Sequence, residues 1–147
     1  MTNALTDLDQ INAELMTGSA RNPFGREVKP GDGVSGEIIA VIRRHRHNSQ
    51  GQPLYWVNRR PTVAQSGDPV IDSQLIIETD AHDDDQDDGL RAVTMDRDVQ
   101  RAIRTGLRRA RANGVAIGGR IDALLFVGPG EGGNGRVYDL GGYTAPA

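Results

Sequence analysis

The stretch Asp96–Gly114, DRDVQRAIRTGLRRARANG, is the only strong internal helix signal in the chain, and it constrains everything around it. Val99, Ala102, Ile103, Gly106, Leu107 and Ala110 recur at helical spacing and form one apolar stripe that has to lie on something. Asp96 and Asp98 suit the positive end of the helix dipole, Arg108, Arg109 and Arg111 suit the negative end, and Asn113-Gly114 supplies a left-handed stop. Gly106 costs about 1 kcal/mol relative to alanine inside a helix, so its presence implies a close approach of the packing partner. Arg97, Arg101, Arg104, Arg108 and Arg111 follow the i, i+4, i+7, i+11, i+14 rule and form a second, basic stripe. Like charges on one face repel. They call for an anion nearby, whether an aspartate loop, a partner subunit or phosphate, unless the stripe is simply a solvated outer face.

Three strand-like runs precede this helix and two follow it. After the Pro30-Gly31-Asp32-Gly33 turn, Val34–Arg43 carries Val34, Ile38 and Ile42 on one face and Ile39 and Val41 on the other. Leu54–Ala64 is the second run, and Ser73–Thr79 the third, with Leu75, Ile77 and Thr79 alternating against Gln74, Ile76 and Glu78. Ile121–Val127 and Arg136–Leu140 follow the helix. A mainly β chain in this order has few ways to bury its apolar faces. The five-stranded OB-fold barrel, with one helix between strands 3 and 4, is the architecture expected for residues 24–143. Residues 1–23 form an N-terminal arm in which Leu5, Leu8, Ile11 and Leu15 allow either a short amphipathic helix for self-association or a partly disordered segment, and residues 144–147 form a short tail. OB barrels commonly bind oligonucleotides or oligosaccharides on the face of strands two and three, although a fold does not by itself decide a ligand.

The net charge of −3 argues at first against a polyanionic partner. Its distribution argues the other way. Six of the 20 acidic residues lie between Asp80 and Asp88, leaving 17 basic residues against 14 acidic in the rest of the chain. Sixteen of the 17 basic residues are arginine, whose planar fork suits bidentate phosphate contact and base stacking, although a GC-rich coding sequence would produce the same bias.

Two stretches carry candidate contacts. Arg43-Arg44-His45-Arg46-His47 leads into a basic hairpin loop after the first strand, with Arg43, Arg44 and Arg46 as phosphate ligands unless the loop is only solvated surface. Leu54–Ala64 holds the adjacent aromatics Tyr55 and Trp56, which strand alternation sends to opposite faces. With Trp56 outward, Asn58 and Arg60 would share its face, giving a stacking surface, an amide and a guanidinium, the ingredients of sequence-tolerant single-strand binding. With Tyr55 outward, Arg59 would join it and Trp56 would fill the core. Pro61 cannot donate to a ladder, so this strand lies at an edge or bends there. Tyr138 and Tyr143 either pack or stack.

Several chemistries are excluded. The chain has no cysteine, which removes disulfides, thiolate zinc sites and cysteine nucleophiles. Asp80–Gly89 fails as an EF-hand, because aligning Gly89 with the sixth loop position places Met95 where the bidentate glutamate belongs; it reads as a solvated loop or, as an alternative, as one that screens the helix arginines or competes with a polyanion. A loose divalent site through His82 is the remaining metal reading, and no metal or cofactor is expected. Gly128, Gly130 and Gly133 match GxGxxG after a strand, but Arg136–Leu140 continues as another strand, so no helix end is available for a pyrophosphate. No catalytic constellation is present, and no enzyme activity is expected. With no run approaching the roughly 20 apolar residues of a membrane helix and a polar N-terminus, a cytoplasmic protein without membrane contact is expected.

Taken together, Pro30-Gly31-Asp32-Gly33-Val34-Ser35-Gly36-Glu37-Ile38, Tyr55-Trp56, Glu78-Thr79-Asp80, Asp87-Asp88-Gly89-Leu90-Arg91, Ala102-Ile103 and Gly118-Gly119-Arg120-Ile121 resemble small OB-fold single-stranded DNA-binding proteins encoded by bacteriophages of actinobacteria, over about residues 24–143. The resemblance implies cooperative, sequence-independent coating of single-stranded DNA in replication or recombination, in the host cytoplasm. It also implies a homo-oligomer and contact with replication or recombination proteins. Tyr55, Trp56, Arg59 and Arg60 carry over as DNA contacts because they occupy the second-strand positions. One departure stands out: bacterial single-strand binders usually end in an acidic recruiting tail, whereas this sequence ends Gly-Gly-Tyr-Thr-Ala-Pro-Ala, leaving only the Asp83–Asp88 loop as a substitute. The rival expectation is an interaction or assembly module on the same barrel, using the arm and the arginine stripe as its interface.

Overall fold

A computed structural model describes residues 20–147 together with Leu8, Ile11, Asn12, Leu15, Met16 and Gly18. The expected arm helix falls largely outside the described residues; of its apolar positions, Leu8, Ile11 and Leu15 are helical and exposed. The chain forms two compact units, one comprising Met1–Ile42 and Gln74–Ala147, the other Arg43–Ser73, the latter falling inside the stretch read from sequence as one domain.

The elements in chain order are β1 (Gly33–His45), β2 (Tyr55–Val57), β3 (Arg60–Thr62), β4 (Ile71–Glu78), β5 (Leu90–Thr94), α1 (Arg97–Arg109), β6 (Arg120–Pro129), a 3-10 turn (Glu131–Gly133) and β7 (Arg136–Thr144). A five-stranded antiparallel sheet has the order β5-β4-β1-β6-β7. Three strands of this sheet precede the helix, as the sequence suggests, but they are not the expected three. Leu54–Ala64 is no single strand; it folds back on itself as the β2-β3 hairpin. Its place beside β1 is taken by β4, and the third position by β5, hidden in sequence behind the aspartate-rich loop.

The sheet is open rather than closed into a barrel, and both edges have found other partners. Along β5, the Arg21 amide donates to the Leu90 carbonyl at 3.2 Å and the Ala92 amide donates to the Arg21 carbonyl at 2.8 Å. Along β7, the Asp98 carboxylate accepts the Arg136 amide at 3.0 Å, and Arg109 donates to the Leu140 carbonyl at 2.7 Å. Edge groups satisfied in this way neither require closure nor invite further strands.

The main core lies between the sheet and α1. Val99, Ala102, Ile103 and Gly106 face Val34, Ile38, Leu75, Ile77, Val93, Ile121, Leu124 and Leu140. At Gly106 a Cβ would stand 2.5 Å from Leu140 Cδ2, which accounts for a glycine in mid-helix. Tyr138 and Tyr143 pack: Tyr138 lies edge-on to Phe24 at 4.9 Å, and the Tyr143 hydroxyl accepts the Ala116 amide at 3.0 Å. Ile42, Ile76, Leu90 and Ala92, on the second face, form a smaller cluster with Ala20.

Asp96 caps α1 by accepting the Val99 amide at 2.9 Å. The helix ends earlier than Asn113-Gly114. Arg111 takes the left-handed conformation at φ +57°, its amide bonds to the Arg108 carbonyl, and the Ala112 amide reaches back to the Leu107 carbonyl. This is a Schellman closure with arginine where glycine is the usual occupant.

The aspartate-rich loop is a folded knot rather than a solvated run. Asp87 is buried and accepts both Arg91 Nη1 and Nη2 at 2.8 Å, the Asp83 amide at 2.8 Å and the Gly89 amide at 2.9 Å. Asp84 takes a bidentate contact from Arg21. The loop therefore neutralises Arg91 and Arg21, not the helix arginines. Among the described residues no helix is long and apolar enough to cross a membrane.

Candidate nucleic-acid interface

Every sequence-derived contact residue falls in the unit Arg43–Ser73, which is built around the segment Leu54–Val57. One side of that segment bonds to the chain at Asp68–Val70, through Trp56 amide to Asp68 carbonyl at 2.8 Å and Val70 amide to Leu54 carbonyl at 3.0 Å. The other side pairs with β3. Val70 is completely buried and serves as the unit's anchor. The basic loop is shaped by Asn48, whose Oδ1 accepts the amides of Gln50 and Gln52 at 2.9 Å each.

The choice between the two aromatics is resolved by packing. Tyr55 is half-buried and meets the His45 ring edge-on at 5.1 Å, while His45 Nε2 lies 2.7 Å from the Leu54 carbonyl. Trp56 points the other way and keeps 43% of its surface exposed. Its expected companions do not share its face, because the chain reverses at Asn58-Arg59. Those two residues have φ +50° and +65°, the signature of a type I′ turn between β2 and β3. The ladder pairs Trp56 with Pro61 and Val57 with Arg60. Trp56 and Pro61 thus form one face, Arg60 lies on the Tyr55 side, and Asn58 and Arg59 occupy the tip.

The arginines divide into engaged and disengaged sets. Arg46 grips Asp72 through Nε at 2.9 Å and Nη2 at 2.7 Å; this paired hydrogen bond raises its pKa further and occupies the guanidinium expected on phosphate. Arg43 and Arg44 are exposed on β1 and both are in contact with other groups. Arg59 and Arg60 are exposed, and among the described residues neither side chain holds an ion pair or a hydrogen bond. An arginine in a left-handed position costs about 1 kcal/mol or more relative to glycine, so Arg59 sits at a strained tip with its charge uncompensated.

Gly67 supports this segment from the loop that precedes Asp68–Val70. A Cβ there would collide with the Trp56 carbonyl, so the glycine lets its loop lie directly against the Trp56 backbone. The Ser66-Gly67-Asp68-Pro69 pattern announces a turn, but nothing local to it announces the neighbour.

Comparison of the chain with protein-family models, with curated proteins and with solved structures finds no match. Chemically, the hairpin presents one exposed indole and, at its end, two uncompensated guanidinium groups. Such a combination can stack one base and neutralise adjacent phosphates without reading sequence. Among the described residues no group of three His, Asp or Glu side chains is placed to hold a metal ion.

Proposed function

We propose that this chain is a non-enzymatic single-stranded DNA-binding protein of OB type, coating single strands during phage replication or recombination in the host cytoplasm. The observation that carries the reading is the β2-β3 hairpin, where Trp56 is held outward while Arg59 and Arg60 stand unpaired at the end of the same two short strands. The strand order supports the OB assignment: the five sheet strands, taken along the chain, have the neighbours of an OB barrel opened between its third and fifth strands, with the helix between the third and fourth. Stacking on Trp56 contributes about 1–3 kcal/mol per base, and each phosphate neutralised adds a salt-dependent increment. Binding needs neither metal nor cofactor.

Fluorescence anisotropy of a labelled thymine oligonucleotide at two salt concentrations tests this. Saturable binding that weakens as salt rises is expected; absence of binding at low salt would overturn it. The exposed helical residues Leu8, Ile11, Leu15 and Met16 favour a second reading, an assembly module, and a concentration-dependent oligomer indifferent to DNA would support that instead.

A further inference from the structure

The outward face of α1 is a second cationic surface, in the other compact unit. Its buried residues, Val99, Ala102, Ile103 and Gly106, all turn toward the sheet, and Arg97, Arg101, Arg104 and Arg108 project from the opposite side of the helix. Arg111 continues the row just past its end. Five arginines outside the row are matched to aspartate: Arg21 with Asp84, Arg46 with Asp72, Arg91 with Asp87, Arg109 with Asp139 and Arg120 with Asp122. In this row only Arg101 approaches an acid, Asp98, at 3.8 Å. Among the described residues Arg97, Arg104, Arg108 and Arg111 hold no ion pair and no side-chain hydrogen bond. Like charges at i,i+4 cost a helix a few tenths of a kcal/mol each, and no acidic side chain follows Asp98 in the helix to relieve them.

The backbone at Arg111 adds an independent sign. At φ +57° it fills the left-handed closing position of the helix, where glycine would avoid the strain of a side chain. The only other arginine in that conformation is Arg59, at the tip of the Trp56 hairpin. Both strained arginines therefore carry charges that nothing in the described chain neutralises.

The geometry points to the Arg97–Arg111 row as a second phosphate-contact surface for the nucleic-acid backbone. The row offers about one positive charge per helical turn over about 20 Å. On the helix its flanks are Gln100 and Thr105, and the exposed apolar side chains nearby, Ala110 and Val137, are too few to form the dry centre a protein interface requires. A polyanion that contacts charge alone is the ligand such a surface fits. This inference rests on the single-strand-binding reading and adds contacts to it.

The test is the salt dependence of binding to a long thymine strand by the full chain and by an Arg97→Gln, Arg104→Gln, Arg108→Gln variant. Three lost phosphate contacts should lower the slope of log K against log salt by about 2 and weaken binding about tenfold or more at moderate salt. The melting temperature should hold or rise as the repulsion is relieved, and the triple lysine variant should retain the wild-type slope. Quenching of Trp56 at saturation should be unchanged. An unchanged slope in the glutamine variant would overturn the inference while leaving the hairpin site intact; if self-association were lost at the same time, the row would be a protein contact. Failure of the wild-type chain to bind any single strand would remove the functional reading itself.

Discussion

Trp56 stands opposite Pro61 in the β2-β3 ladder, so the only tryptophan of the chain shares its hairpin face with a ring that donates no hydrogen bond. Because Trp56 is already 43% exposed, removing its side chain should cost little folding energy. Trp56→Ala should lower the affinity for single-stranded DNA by about 1–3 kcal/mol, measured by anisotropy, with a far smaller change in urea midpoint. A variant that unfolds while binding at full affinity in its folded fraction would place the indole in the core.

Arg59 gives stability and binding opposite signs. Glycine at this φ of +65° removes the left-handed strain, so Arg59→Gly should stabilise the hairpin by up to about 1 kcal/mol. The same change should weaken DNA binding and reduce the salt slope by about 0.7, one single-strand phosphate contact. Thermal melts and a salt titration on one preparation decide both.

The acidic knot sets the acid limit of the fold. The Asp87 carboxyl is held well below the usual carboxylate range, first by the paired hydrogen bonds from Arg91 and then by the amides of Asp83 and Gly89. A depressed native pKa contributes stability that is complete above the unfolded value, near 3.9, and is lost as pH falls below it. Melting temperature should therefore drop steeply below about pH 4 in the wild type. Asp87→Asn should be less stable at pH 7 and show a flatter acid limb; parallel limbs in the two proteins would contradict this assignment.

Gly106→Ala should destabilise, against helix propensity. Alanine gains about 1 kcal/mol in a helix, but here the methyl would stand 2.5 Å from Leu140 Cδ2, and overpacking costs about 1–3 kcal/mol. Calorimetry of Gly106→Ala with and without Leu140→Val tests the contact: the second change should recover part of the loss.

The periodic segments were legible in the sequence, and the segments decided by tertiary contact were not. The α1 stripe, the acidic start at Asp96 and Asp98 and the close packing at Gly106 follow from spacing and propensity, which are local. The reversal at Asn58-Arg59 was hidden because the second position of a type I′ turn usually announces itself as glycine, and arginine gives no such sign. Strand alternation therefore does not carry from Trp56 to Asn58 and Arg60, because the turn lies between them. Strand β5 was masked by its neighbours: Leu90–Thr94 includes Arg91, whose charge is neutralised by the Asp83 and Asp87 carboxylates of the preceding loop. Open sheet edges were equally invisible, since the groups that satisfy them, Asp98, Arg109 and the Arg21 backbone, belong to other elements.

The most direct measurement is titration of the wild-type chain with a thymine oligonucleotide while following Trp56 fluorescence at low and high salt. Saturable quenching, with a midpoint that moves to higher oligonucleotide concentration as salt rises, is the predicted result, because an exposed indole on a hairpin that ends in two uncompensated arginines should stack a base. An unchanged emission spectrum across the titration would contradict the account of the hairpin as the nucleic-acid interface.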